Sequence, residues 1–279
     1  MLALQRWKGW IRMKEKDKNT LLKVKRLTKI YTSGYFETTS VVGAKDVSFD
    51  LKKGEIISLV GESGSGKTTT AKMILRLIKP TAGQIFFDGR DAFSYDKRDY
   101  YKKVQGIFQD PYSAFNLFYK VDRTLNLAFN FYDNPPSSEE KRKIIERTLE
   151  EIGLNPGEVL GRHPHQLSGG QMQRLLVARA LIIGSEVLVA DEPTSMIDAS
   201  SRVDTLNTFL KLKKRGSLSI IFITHDIGQA YYISDKVLIF KKGEVVEEGF
   251  AEEVFLHPKH PYTKELFASI PRLYEKWEI

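Results

Sequence analysis

From Leu21 to Tyr31 apolar and basic side chains alternate, with Leu22 and Val24 set against Lys23, Lys25 and Arg26. A period of two predicts a half-exposed strand. The alternation resumes from Val47 to Leu51, and Lys53-Gly54 marks a turn. Glu55 to Val60 is a short β-type apolar run that leads straight into the glycine-rich stretch GESGSGKTTT. A helical pattern follows, with Met73, Ile74, Leu77 and Ile78 on one face and Pro80 closing it. Gln84 to Phe87 reads as another strand, ended by the turn pair Asp88-Gly89.

From about Pro111 to Pro164 the texture changes to loops and helices. Ser137 to Glu140 forms a capping-box pattern, and Ile144, Ile145, Thr148, Leu149 and Ile152 follow at helical spacing. Short β-rich runs return at Val187–Ala190, Ile220–Thr224 and Val237–Phe240. Strand–helix alternation interrupted by a helical insert predicts an α/β core with a helical subdomain.

Composition narrows this little, but charge and cysteine usage do more. A chain of 279 residues, 42% of them hydrophobic, can bury one large core, with or without a small satellite. With no cysteine, disulfides, thiolate metal sites and cysteine nucleophiles are excluded. No apolar run has the length of a membrane-spanning helix, and no continuous apolar stretch follows the basic start as a signal peptide requires. The net charge of +8 resides wholly in residues 1–30, which hold ten basic and two acidic side chains. The remaining 33 basic and 33 acidic side chains balance, which argues against a nucleic-acid-binding face.

Three motifs carry the chemistry. Gly61 to Thr68 spells G-x-x-x-x-G-K-T between an apolar strand and a helix. Glycines let successive backbone N–H groups and the helix N-terminus surround a phosphate. Lys67 would reach the β- and γ-phosphates, and the Thr68 hydroxyl would ligate Mg²⁺. Leu167-Ser168-Gly169-Gly170-Gln171 opens a second helical stretch, in which Leu175, Ala178 and Leu181 share a face. Val187 to Glu192 is a buried strand ending in two acids, at the end where open α/β sheets bind ligands. Taken singly, the second motif could be an ordinary N-capped helix and the third a solvated strand end. In this order the three together point to nucleotide chemistry.

With these motifs the chain resembles the ABC ATPase family over nearly its whole length. The resemblance implies an α/β P-loop ABC ATPase core with an antiparallel β subdomain and an inserted α-helical subdomain. It implies ATP and Mg²⁺ as ligands, with Gly61, Glu62, Ser63, Gly64, Ser65, Gly66, Lys67, Thr68 and Thr69 around the phosphates. Asp191 would bind Mg²⁺ with Thr68, and Glu192 would be the general base. Ser168, Gly169, Gly170 and Gln171 would contact ATP held by a partner subunit. Gln109 in IFQDP matches the Q-loop, with a part in metal binding, and Asp198 matches the D-loop. His225 in ITHD matches the switch histidine, and Tyr31 fits the aromatic that stacks on adenine, with Tyr35 and Phe36 as rivals. Met196-Ile197 departs from the commoner Ala-Leu of the D-loop, and Met172 stands where a basic residue is frequent.

The C-terminal HPKHPYTKELFASIPRL resembles the end of the oligopeptide/dipeptide importer ATPases. That branch implies a peripheral protein on the cytoplasmic face of the membrane, energising peptide import, with oligosaccharide or nickel as other cargoes. Its partners would be a second ABC ATPase (a heterodimer in preference to a homodimer), two transmembrane permeases and, indirectly, a solute-binding protein. A DNA-repair ATPase of the SMC type is the rival from another class, but no sustained heptads separate the motifs. His257 and His260 make a poor metal site without a third ligand. The expected organisation is an arm at 1–18, a nucleotide-binding core at 19–110 and 166–250, a helical subdomain at 111–165 and an extension at 251–279. On a helical wheel the arm gathers Ala3, Leu4, Trp7, Trp10 and Ile11 in one sector, which would suit a membrane interface or a permease.

Overall fold

The computed structural model describes residues 19–33, 39–216 and 218–268. The amphipathic arm, Tyr35, Phe36 and the last residues of the C-terminal extension lie outside these. In chain order, β1 (Thr20–Ser33), β2 (Thr39–Lys52) and β3 (Ile56–Val60) lead to α1 (Lys67–Ile74). Next come β4 (Ala82–Phe87), β5 (Arg90–Asp91), α2 (Lys97–Lys103) and β6 (Val104–Ile107). A helical stretch holds α3 (Val121–Leu127), α4 (Ser138–Glu151) and α5 (Pro156–Val159), followed by α6 (Gly169–Ile183). The chain continues through β7 (Val187–Asp191), α7 (Ala199–Lys214), β8 (Ser219–Thr224) and α8 (Ile227–Ile233). Strands β9 (Lys236–Lys241) and β10 (Glu244–Phe250) precede helices α9 (Ala251–Leu256) and α10 (Pro261–Ala268).

Two sheets result. One is antiparallel, in the order β2-β1-β4-β5; the other runs β10-β9-β3-β8-β7-β6. In the second, β3 pairs in parallel with β8 and β9, and β7 pairs in parallel with β8 and β6. Only β10 runs against its neighbour, closing an edge with Glu244, Glu247 and Glu248. Strands β3, β7 and β8 are buried at every position, as expected of parallel strands covered on both faces.

The pleat sends alternate residues of these strands into different layers. Val187 and Val189 of β7 join Ile57 and Leu59 of β3 in a cluster with α1 and the antiparallel sheet. Leu188 and Ala190 face the other way, into a cluster with α6, α7 and the helices of the insert. Within that second cluster Phe209 of α7 meets Phe222 of β8 edge to face, with ring centroids 6.0 Å apart. Helix α4 begins with the reciprocal capping box of Ser137 and Glu140, and Ile145, Thr148 and Leu149 are buried against the core.

Helix α1 stops earlier than its apolar pattern predicts. Arg76 adopts φ +54°, and the Leu77 N–H turns back to the Lys72 carbonyl. The Arg76 guanidinium lies over the Tyr100 ring at 5.0 Å and donates to the Tyr95 carbonyl at 3.1 Å. Leu77 is thereby turned outward, 53% exposed, although helical spacing places it on the core face. Strands β6 and β10 carry no sequence signal of their own: one is four residues long, and the other is an acidic edge strand.

Phe209→Ala is expected to lower the unfolding free energy by about 3–5 kcal/mol in urea titrations. Leu77→Ala is expected to change it by less than about 0.5 kcal/mol, whereas a core position of the kind its helical period implies would cost several.

Candidate nucleotide site and signature helix

The connection from β3 to α1 is built around backbone approach. A Cβ on Gly61 would stand 2.3 Å from the Phe240 carbonyl oxygen, and one on Gly66 would stand 2.5 Å from that of Gly43. Gly66 also has φ +105°, in the left-handed region, at the N-cap of α1. The Lys67 ammonium folds back into this loop. It donates to the carbonyls of Gly61 and Glu62, each at 2.7 Å, and to Ser65 Oγ at 3.1 Å. Lys67 is only 4% exposed. Burial pushes its ammonium below the ordinary lysine range, against the opposing pull of Glu192 and Asp191.

The carboxyl ends of β8, β7 and β6, in that order from β3, lie on the same side of the sheet as this loop. Thr68 at the start of α1 donates its hydroxyl to Asp191 Oδ1 at 3.2 Å. Asp191 ends β7 and is 7% exposed; burial pushes its carboxyl above the usual aspartate range, with the Thr68 hydrogen bond opposing. Glu192 follows in a left-handed conformation, φ +49°, its N–H held by the Ile223 carbonyl at 2.9 Å. Its carboxylate Oε1 lies 3.0 Å from Nδ1 of the exposed His225, the first residue after β8. Behind this pair, the Thr194 hydroxyl donates to the Gln229 amide oxygen, and Asp226 caps α8 through the Gln229 N–H. Gln109 is exposed just beyond β6, whose Ile107 pairs with Ala190 of β7. It therefore sits on the same sheet edge as the two acids. An oxygen-only set from Thr68 and Asp191, joined by a direct contact, has the chemistry that Mg²⁺ prefers.

Tyr31, half-exposed near the end of β1, lies at the flank of this loop. Its Cε2 is 2.5 Å from where a Gly43 Cβ would be, and its hydroxyl is 3.5 Å from Thr69 Oγ1. The Lys29 ammonium lies 5.4 Å from its ring centroid. Gly43 was missed by sequence reasoning, although a glycine within the strand pattern Val41-Val42-Gly43-Ala44 signals a close approach.

The LSGGQ segment is a separate unit. Ser168 caps α6, accepting the Gln171 N–H at 3.2 Å while Gln171 Oε1 accepts the Ser168 N–H at 2.9 Å. The two glycines admit the next segment of chain. A Cβ on Gly169 would be 2.9 Å from Ile197 Cγ2, and one on Gly170 would be 2.5 Å from Ser201 Cβ. Asp198 caps α7 by accepting the Ser201 N–H at 3.0 Å and the Ser200 hydroxyl at 2.5 Å, and these bonds hold its carboxyl well below the usual range. Among the described residues, no hydrogen bond or ion pair joins residues 168–171 to residues 61–69. No group of three or more His, Cys, Asp or Glu able to hold a metal occurs among them either. His260 accepts the Tyr262 N–H on Nδ1 at 3.1 Å.

A parallel sheet with a glycine loop, an invading lysine and two acids at its carboxyl edge defines a P-loop nucleotide-binding protein. A family model described as "ABC transporter" matches residues 44–195, more than half the chain, and one described as "Oligopeptide/dipeptide transporter, C-terminal region" matches residues 246–279. The oligopeptide transport ATP-binding protein OppF of Bacillus subtilis is 37% identical over 255 residues, covering 90% of this chain and 82% of that protein. The dipeptide transport ATP-binding protein DppF of Haemophilus influenzae is 36% identical over 264 residues, covering 92% and 80%. The dimeric ATP-binding cassette MJ0796, in a post-hydrolysis state with ADP and Pi, superposes with a TM-score of 0.72 at 30% identity, covering 83% of this chain and 99% of that one. The cassette cbiO1 of Clostridium perfringens gives 0.72 at 27% identity, covering 86% and 92%. The chain belongs to the ABC transporter family, and it is an ATP-hydrolysing subunit of that type.

Burial makes the ionised Asp191 unfavourable in the folded state, so its penalty is present above its raised pKa and vanishes as protonation neutralises it. Asp191→Asn is accordingly expected to raise the midpoint of thermal unfolding at pH 7. The gain should shrink as pH falls through that pKa, as scanning calorimetry at several pH values would reveal.

Proposed function

We propose that the edge formed by Lys67, Thr68, Asp191, Glu192 and His225 hydrolyses ATP to drive peptide uptake. The observation that carries the reading is the contact of Glu192 with His225 beside Asp191 and Lys67. Lys67 would exchange its own loop's carbonyls for the β- and γ-phosphate oxygens, which offset its dehydration better. The amides of residues 62–69 would face the same phosphates, and Tyr31 would offer its ring to adenine. Thr68 and Asp191, with Gln109 from the neighbouring strand, would hold Mg²⁺; that ion supplies charge neutralisation on the phosphate oxygens.

Glu192 is the base in this reading: its carboxylate would accept a proton from the attacking water, while His225 orients that carboxylate and senses the γ-phosphate. Gln109, on the loop between the sheet edge and residues 111–165, would pass the state of the site to that helical subdomain. Ser168, Gly169, Gly170 and Gln171, with Asp198 alongside, would complete the site of a second ABC subunit in a head-to-tail dimer, as a heterodimer in preference to a homodimer. The dimeric state of the MJ0796 cassette supports this arrangement.

The peptide-transport relatives and the matched C-terminal region support peptide cargo, and two permeases with a solute-binding protein would complete such an importer. The protein would work at the cytoplasmic face of the membrane; among the described residues no helix is long and apolar enough to cross one.

In the assembled transporter, Glu192→Gln is expected to keep ATP binding and to reduce steady-state hydrolysis by about 10²-fold or more. Turnover like that of the unsubstituted chain would remove Glu192 from this role. Ser168→Arg is expected to abolish ATP-dependent dimerisation in size-exclusion chromatography while leaving ATP binding by each chain unchanged; dimers in normal yield would refute the shared site.

A further inference from the structure

The C-terminal extension reaches the phosphate loop. The Lys259 and His260 amides donate to the two carboxylate oxygens of Glu247 on β10, at 2.8 and 3.0 Å, fixing the segment that leads into α10. The next side chain but one, Tyr262, is 4% exposed and packs with Val60, Ile239 and Val254. Val60 is the last residue of β3, so this ring lies directly under the start of the loop at Gly61. The Lys241 ammonium lies 4.1 Å from the ring centroid.

The ring is therefore well placed, but its buried hydroxyl makes no hydrogen bond of normal geometry. The polar groups facing it are the amide and the carboxylate of Glu62, with the Glu265 carboxylate acting at longer range. Burial pushes the phenol above its ordinary range, so it keeps its proton and remains a donor near neutral pH. Phenylalanine would fill the same apolar slot without an orphaned hydroxyl, which is destabilising where nothing receives it. The hydroxyl thus fits a contact made in another state of the loop. Glu62 is among the residues that change between states: its carbonyl, like that of Gly61 and the Ser65 hydroxyl, accepts from Lys67 here and loses that bond when the ammonium turns to a phosphate.

We propose that Tyr262 is a positioning residue for the phosphate loop, its hydroxyl donating to the Glu62 carboxylate and so holding the loop entry while Lys67 engages nucleotide. This rests on the ATP-binding reading of the loop and assigns the extension a part in nucleotide affinity.

The test is calorimetric titration of the full chain with Mg²⁺-ATP, together with its thermal unfolding without nucleotide. Tyr262→Phe is expected to weaken ATP binding about fivefold while the unfolding midpoint stays equal or rises. In a Glu62→Ala background the same substitution should have no further effect, and in the assembled transporter it should raise KM for ATP with kcat little changed. Unaltered affinity, an equal loss in both backgrounds, or a loss accompanied by a lowered midpoint would each overturn the proposal. Failure of the unsubstituted chain to bind ATP would instead refute the reading on which it rests.

Discussion

Parallel pairing of β3, β8, β7 and β6 is the constraint from which the site follows. Strands that run the same way end on the same side, and here Val60 is paired with Thr224, Asp191 with Ile223, and Ala190 with Ile107. The loop at Gly61, the acids at 191 and 192, His225 and Gln109 therefore emerge along one edge, although up to 164 residues separate them in the chain. Each strand can enter this arrangement only by burying both faces. That requires one layer of α1 and the antiparallel sheet, and another of α6, α7 and the helical insert.

The same edge concentrates unfavourable electrostatics. Lys67 and Asp191 attract each other, yet burial dominates for both: the ammonium is pushed down and the carboxyl up. Desolvation outweighing Coulomb attraction is the usual outcome for partly buried opposite charges without full hydrogen bonding. Glu192 adds a left-handed backbone conformation rare for a side-chain-bearing residue. A phosphate-bearing ligand with a divalent cation would relieve these terms together, which is why their coincidence at one edge has functional meaning.

Distance from that edge is equally informative. The LSGGQ segment closes on itself through Ser168 and Gln171, and its glycines are filled by Ile197 and Ser201 of the same chain. The signature and the segment around Asp198 thus form one closely packed surface, with no hydrogen bond to the chain's own phosphate loop among the described residues. In the proposed head-to-tail dimer, this surface on a second subunit would complete the site that one chain leaves open. At the opposite flank, the Glu247 clamp makes the HPYT segment part of the packed body beneath the loop.

Local patterns determined much of this protein. The apolar runs Val187–Ala190 and Ile220–Thr224 became strands because burial on both faces needs no alternation, and the capping boxes at Ser137 and Ser168 formed because their hydrogen bonds span only three residues. The glycine loop and the two acids were legible for the same reason: their chemistry is written within a few positions. What required tertiary structure was every relation across the chain. Helical period placed Leu77 in the core, but Arg76, stacked on Tyr100, ended the helix first. β6 became a strand because β7 supplied its partner, and Gly43 gained its role from Tyr31 and Gly66. The pairing of Glu192 with His225 and the approach of Tyr262 to Glu62 likewise depend on which strands lie side by side. Sequence periodicity specifies the elements, whereas the order in which they pair is set by packing between residues far apart in the chain.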